Sequence, residues 1–129
     1  MDIIQYRENK KISILLVEDE EILSKIYFNA LAKEGYRVYI SKNGKSAINK
    51  YNEHQISIII LDLMLPDVSG LEVLRHIRKV AHQAKIIALT NMINSDVKRE
   101  CIDLGVEMYL SKSDYTPDQI VSCIKGLVS

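Results

Sequence analysis

The sequence predicts a doubly wound α/β fold, a five-stranded parallel sheet with helices on both faces. Three observations point there. Five strand-like runs alternate with five segments of helical periodicity, the pattern of parallel strands joined by crossover helices. The first, third and fourth runs are apolar throughout rather than alternating, as strands covered on both faces are. The chain has 129 residues, 47% of them hydrophobic and 26% charged, which suits one domain with a single core.

Each element has its own signal. Residues 1–11, "MDIIQYRENKK", read as a flexible leader, too polar and too short in its apolar part for a signal peptide, so that the folded domain runs from 12 to 128. "ISILLV" (12–17) is the first strand and stops at Glu18-Asp19. "EEILSKIYFNALAKEG" (20–35) places Leu23, Ile26, Ala30 and Leu31 at helical spacing and ends at Gly35, a left-handed terminator. "YRVYIS" (36–41) mixes polar and apolar residues, as an edge strand does. "NGKSAINKYNEH" (43–54) is a short helix with Ala47, Ile48 and Tyr51 on one face. The third strand, 57–62, runs into Asp62, and Pro66 and Gly70 bracket the loop that follows. "LEVLRHIRKV" (71–80) turns Leu71, Leu74 and Ile77 inward, and "KIIALT" (85–90) is the fourth strand. "SDVKRECIDLG" (95–105) opens on a capping residue and stops at Gly105. "EMYLSK" (107–112) is the fifth strand. In "TPDQIVSCIKGLV" (116–128), Thr116 caps, Pro117 takes the first helical position, and Gln119 completes a capping box.

Bulk properties exclude several classes. Lys plus Arg balance Asp plus Glu at 17 each, so nothing in the net charge points to nucleic acid. No apolar run approaches the ~20 residues that cross a bilayer, and a cytoplasmic, membrane-free protein is expected. Cys101 and Cys123 lack CxxC spacing and read as small apolar residues of helices. His54, His76 and His82 show no metal-ligand spacing and read as solvated.

"IIILDLMLPD" (58–67) raises the chemical question, because a strand buried on both faces ends in a carboxylate, and a buried charge is costly unless compensated. Ligand sites in open α/β sheets lie beyond the carboxyl ends of the strands, where strand order reverses. In the flavodoxin-like order 2-1-3-4-5, the first and third strands are neighbours, and Glu18, Asp19 and Asp62 meet. Each close pair of carboxylates would repel by roughly 4 kcal/mol at an effective dielectric near 20. Such a cluster takes up protons or binds a cation. Oxygen-only ligands suit a hard ion, Mg²⁺ in particular, which is often completed by phosphate oxygens. Thr90 ends the fourth strand and Lys112 the fifth, a hydroxyl donor and a compact cation that both suit phosphate. A carboxylate beside Mg²⁺ and lysine is also a feasible nucleophile. Singly, each residue has a duller role as a helix cap or a solvated loop side chain. Jointly, they are the set one chemistry requires.

These pieces, "LLVEDE", "LDLMLPDVSG", "ALT" and "YLSK", resemble the receiver domain of two-component response regulators, including the chemotaxis-regulator type, over essentially all of residues 11–128. The resemblance implies phosphorylation of Asp62 and Mg²⁺ bound by Glu18, Asp19, Asp62 and the backbone carbonyl of Met64. It implies that Lys112 and Thr90 contact the phosphoryl group and that Tyr109 reports the switch by reorienting. A histidine kinase or a histidine phosphotransfer protein would donate the phosphoryl group. The fourth predicted helix, the fifth strand and the fifth predicted helix would signal to a downstream protein or output domain, and a homodimer through the last helices is left open. No turnover of an external substrate is implied, and no direct nucleic-acid contact. Two residues depart from the family: Ser113 stands where a proline with a cis bond is common, and Asn91 where a small residue is usual. Ser113 leaves a trans or a strained bond as alternatives, and Asn91 would restrict phosphodonors or water. Met64 and Met92, both apolar, would favour a long-lived phosphoryl state.

Three other readings are weaker. "NGKS" (43–46) looks like the end of a phosphate-binding loop, but that motif needs a glycine where Tyr39 stands. An aspartate-nucleophile phosphatase would need its nucleophile on the first strand and an aspartate at Met64. A module of this fold that works without phosphorylation is left open by Asn91 and Ser113 alone.

Overall fold

The computed structural model describes residues 1–81, 83–92 and 94–128. His82, named above, lies outside them. Five strands, β1 (Ser13–Val17), β2 (Arg37–Ser41), β3 (Ile58–Leu61), β4 (Lys85–Thr90) and β5 (Met108–Ser111), form one parallel sheet in the order β2-β1-β3-β4-β5. Six helices accompany them: α1 (Ile3–Asn9), α2 (Glu21–Lys33), α3 (Gly44–Glu53), α4 (Gly70–Val80), α5 (Ser95–Asp103) and α6 (Pro117–Val128). The predicted fold class is therefore the observed one, with one helix more than expected.

Alternate residues of the inner strands feed two cores. Ile14, Leu16, Ile58, Ile60, Ile87 and Leu89 face α2 and α6. Leu15, Val17, Ile59, Leu61, Ile86 and Ala88 face α3, α4 and α5. Both sets are buried, which is why these runs carry no polar alternation. Edge strand β2 is only half-buried along most of its length, as its mixed chemistry predicts.

Local signals place most helix ends. Gly35 and Gly105 have φ of +98° and +77°, so both predicted stops use the left-handed conformation that glycine adopts without strain. The capping box of α6 is formed: Gln119 N–H donates to Thr116 Oγ1 at 3.2 Å, and Thr116 N–H donates to Gln119 Oε1 at 2.8 Å. The cap of α5 is Asn94 rather than Ser95, its Oδ1 accepting from the amides of Asp96 and Val97. On α2 the buried face runs through Ser24, Tyr27 and Leu31, with Leu23 and Ala30 packed beside it, and Ile26 points to solvent. The expectation for Ile26 fails because Tyr27, polar at its tip, takes the central inward position.

The segment expected to be a loosely held leader is instead a helix over most of its length. Asp2 caps it by accepting from Gln5 N–H at 2.7 Å. Asn9 is 2% exposed and donates to the carbonyl of Glu34 at 2.8 Å, satisfying the end of α2. Tyr6 packs so closely on Gly35 that a Cβ there would lie 2.8 Å from its carbonyl oxygen. Seven residues make too short a helix to persist alone, so these docking contacts decide it, and nothing local announces them.

Candidate functional site

Strand register builds the site. Val17 pairs with Leu61, so Glu18 and Asp62, the next residues, emerge side by side. Asp62 N–H still donates to the carbonyl of Val17 at 3.0 Å, and Glu18 N–H to that of Ser41 at 2.9 Å, so both are held by the ends of the ladders. Thr90 pairs with Ser111, which sets Lys112 one step beyond the sheet edge. All of these lie at the carboxyl end of the sheet, where β1 and β3 lead off in opposite directions.

Carboxylate oxygens of Glu18, Asp19 and Asp62 lie within 4.8 Å of one another. Glu18 and Asp62 are 2% and 4% exposed, and Asp19 is open to solvent. Lys112 Nζ donates to Asp62 Oδ2 at 2.7 Å and stands 2.6 Å from Glu18 Oε1. The carboxylate at the end of a doubly covered strand thus has compensation within the protein alone: one ammonium bridges two buried carboxylates. Backbone donors add to it. Met64 N–H reaches Asp62 Oδ1 at 3.0 Å, and Glu20 N–H reaches Glu18 Oε2 at 3.1 Å. Burial pushes the Glu18 carboxyl up, and its bonds to Lys112 and the Glu20 amide only partly offset that. For Lys112, burial works against the ammonium, but the hydrogen bonds to Asp62 and Glu18 outweigh it and hold its pKa above the usual value.

Glu18, Asp19, Glu20, Asp62, Met64, Asn91 and Lys112 line one cleft of about 370 Å³. Thr90 and Tyr109 line a neighbouring cleft of about 450 Å³ beside α5, and Asn91 belongs to both. The structure therefore joins Glu18, Asp19, Asp62, Met64 and Lys112 in a single space and sets Thr90 and Tyr109 in the adjoining one, with Asn91 common to both. Thr90 is 1% exposed, and its Oγ1 accepts from Met92 N–H at 3.1 Å. Tyr109 is half-buried and its hydroxyl donates to the carbonyl of the same Met92 at 3.2 Å. Both polar side chains thus grip one loop residue from opposite sides of its peptide units.

Two supporting residues escaped the sequence reading. Gly70 opens α4, and a Cβ on it would meet Asp62 O at 2.4 Å and Leu63 Cα at 2.5 Å. Its position three residues after Asp67 signals a turn but not this closeness. Asp67 accepts from Gly44 N–H at 2.8 Å and Lys45 N–H at 3.0 Å. The start of α3, the "NGKS" segment, therefore already holds an anion from this chain, which disposes of the phosphate-loop reading by occupation as well as by the missing glycine. His54 is not simply solvated either: its ring stacks on Tyr39 with centroids 4.0 Å apart.

The family model for the response regulator receiver domain matches residues 14–125. The chain belongs to this family. The receiver domain is 40% identical to an uncharacterized transcriptional regulatory protein, YkoG, of Bacillus subtilis over 99 residues, which cover 77% of the chain and 43% of that protein. It is 30% identical to the transcriptional regulatory protein TrcR of Mycobacterium tuberculosis, across 97% of the chain and 48% of TrcR. The chain thus spans about half the length of the curated relatives it matches. A CheY-like receiver domain protein from Methanospirillum hungatei superposes with a TM-score of 0.85 at 24% identity, covering 89% of this chain and 91% of that one, and shares the fold. Response regulator TrrA of Thermotoga maritima, solved in complex with Mg²⁺-BeF, is 32% identical with a TM-score of 0.79, covering 91% of this chain and 99% of the TrrA chain.

The donor set fits the Mg²⁺ of the family. Three carboxylates converge, no nitrogen or sulfur ligand intrudes among the described residues, and one carboxylate faces solvent, from which water ligands would come.

Proposed function

We propose that this receiver domain, residues 12–128 with α1 as an N-terminal addition, accepts a phosphoryl group on Asp62 from a phosphohistidine. The donor would be a histidine kinase or a histidine phosphotransfer protein. The observation that carries the reading is Asp62 itself, a nearly buried carboxylate that clusters with those of Glu18 and Asp19 and bonds Lys112 at 2.7 Å. A carboxylate oxygen of Asp62 attacks phosphorus, the bond from phosphorus to the donor imidazole nitrogen breaks, and the proton needed by the leaving imidazole comes from solvent or the donor protein. Glu18, Asp19, Asp62 and the Met64 carbonyl would hold Mg²⁺, which supplies charge neutralisation to the transferring group. Lys112 stays at hand to pair with phosphoryl oxygen as its bonds to the carboxylates are given up.

Thr90 and Tyr109 would carry the state outward. Thr90 Oγ1 exchanges its bond from the Met92 amide for one it donates to a phosphoryl oxygen, and Tyr109 leaves the Met92 carbonyl. Their common grip on Met92 supports coupled movement. α5, β5 and α6 form the surface that changes, by shifting populations of two states. That surface would meet a downstream protein or output domain, or a second copy of the chain, without direct contact between this domain and nucleic acid. The relatives named as transcriptional regulatory proteins are about twice as long, so an output domain beyond the receiver fits their size. The place of action is the cytoplasm; no helix among the described residues is long and apolar enough to cross a membrane. No external substrate is turned over. With Asn91 in the cleft and Met64 and Met92 apolar, the phosphoryl group persists beyond seconds.

Incubation with Mg²⁺ and acetyl phosphate, read by intact mass, tests the assignment. The protein should gain one phosphoryl group, and Asp62→Asn should gain none. Equal gain by the variant would overturn the assignment of Asp62.

A further inference from the structure

The two residues that depart from the family pattern touch each other. Ser113 N–H donates to Asn91 Oδ1 at 3.1 Å. Ser111 Oγ donates to the same Oδ1 at 3.4 Å, and the hydroxyls of Ser111 and Ser113 are 3.1 Å apart. One oxygen of Asn91 therefore holds the residues on both sides of Lys112. A backbone N–H can only donate, so the oxygen of the carboxamide, not its nitrogen, must face Ser113. No cis peptide bond occurs among the described residues, so Lys112 and Ser113 are joined by a trans bond. Proline at 113 would lack the N–H that Asn91 accepts, and a small residue at 91 would lack the acceptor. The two departures make sense together and neither makes sense alone.

We propose that Asn91 is a positioning residue for Lys112, bracing the loop after β5 against the loop after β4 through the Ser113 amide. Its consequence for phosphoryl transfer rests on the function proposed above; the brace itself does not. Lysine has a long flexible stem, and its ammonium reaches Asp62 and Glu18 reproducibly only if the backbone beneath it is fixed. The turn over Lys112–Asp114 starts at this point, and its residues other than Lys112 are exposed, so few other contacts fix it. Asn91 is well placed for the task. It directly follows Thr90 and lines the clefts of Asp62 and of Tyr109. The brace therefore also ties the position of Lys112 to the segment on which Thr90 moves.

Three measurements on the full chain test this, in wild type, Asn91→Ala, Ser113→Pro and the double variant. Hydrogen exchange of the residue-113 amide should quicken in Asn91→Ala. The Lys112 Nζ resonance, which reads its contacts with Asp62 and Glu18, should shift. The saturating rate of phosphoryl uptake from acetyl phosphate should fall about fivefold, the size of one net hydrogen bond, with half-saturation unchanged and the melting temperature lowered by no more than the few degrees such a bond is worth. Because both substitutions remove the same bond, the double variant should be no slower than Asn91→Ala. Additive losses, or a wild-type rate in Asn91→Ala, would overturn the proposal. If wild type takes up no phosphoryl group, the function assigned to Asp62 fails, whereas the Lys112 resonance still decides the brace: an unchanged resonance in Asn91→Ala refutes it, a shifted one upholds it.

Discussion

Asp67 shows how much a single side chain can organise here without taking part in the chemistry. Its carboxylate accepts from two amides at the start of α3, and those bonds hold its pKa below the ordinary value of 3.8. A carboxyl whose folded pKa is depressed stabilises the fold above its unfolded pKa and ceases to do so as pH falls through the folded value. Wild type should therefore be more stable than Asp67→Asn at pH 7, and the difference should disappear in acid below the usual aspartate range. Urea midpoints of the two proteins across that range measure it; a constant difference would show that charge is not involved. Residues differ in how openly the sequence declares them. Asp62 was legible because a carboxylate ending an apolar run demands compensation. The bonding between Asn91 and Ser113 was not, since it joins the loop after β4 to the loop after β5 and leaves no periodic trace.

At the scale of elements, the loop between β3 and α4 is the most tightly specified. Gly70 N–H donates to Leu63 O at 3.0 Å, and any side chain at 70 would be driven into the backbone of Asp62 and Leu63. Neither obstacle is a flexible side-chain end, so relief requires moving the chain that carries Asp62. Gly70→Ala should cost about 1–3 kcal/mol, seen as a lower urea midpoint, and should slow phosphoryl uptake at Asp62 as well. Loss of stability with unaltered uptake would mean that the strain is taken up by α4 instead. The long helices were legible because burial imprints a period on them, and the inner strands because burial on both faces leaves an unbroken apolar run. α1 was not, because its fate depends on Gly35 and the carbonyl of Glu34, both supplied by distant chain.

For the molecule as a whole, the sheet order followed from parallel crossovers and from the polar strand ends that had to meet. The same order concentrates like charge at one rim of the sheet. Lys112 bridges two of the three carboxylates, and Asp19 has no such bond to it among the described residues. Mg²⁺ binding should therefore raise the melting temperature, the gain growing with the logarithm of its concentration, and chelation should reverse it. Asp19→Asn should weaken that response; a melting point indifferent to Mg²⁺ would contradict the site. At the opposite rim, Arg78 of α4 donates to the carbonyls of Leu104 and Gly105, just past the end of α5, and to Ala84, while Arg75 pairs with Glu100. The beginning of α5, from Ser95 to Asp96, is exposed. The far end of α5 is thus tied to α4 through two arginines, whereas its near end is held by the Asn94 cap and by Val97 against the core. If the loop carrying Met92 shifts on phosphorylation, the first turn of α5 should move more than the last, and hydrogen exchange compared along α5 with and without the phosphoryl group checks it; equal change at both ends would contradict it.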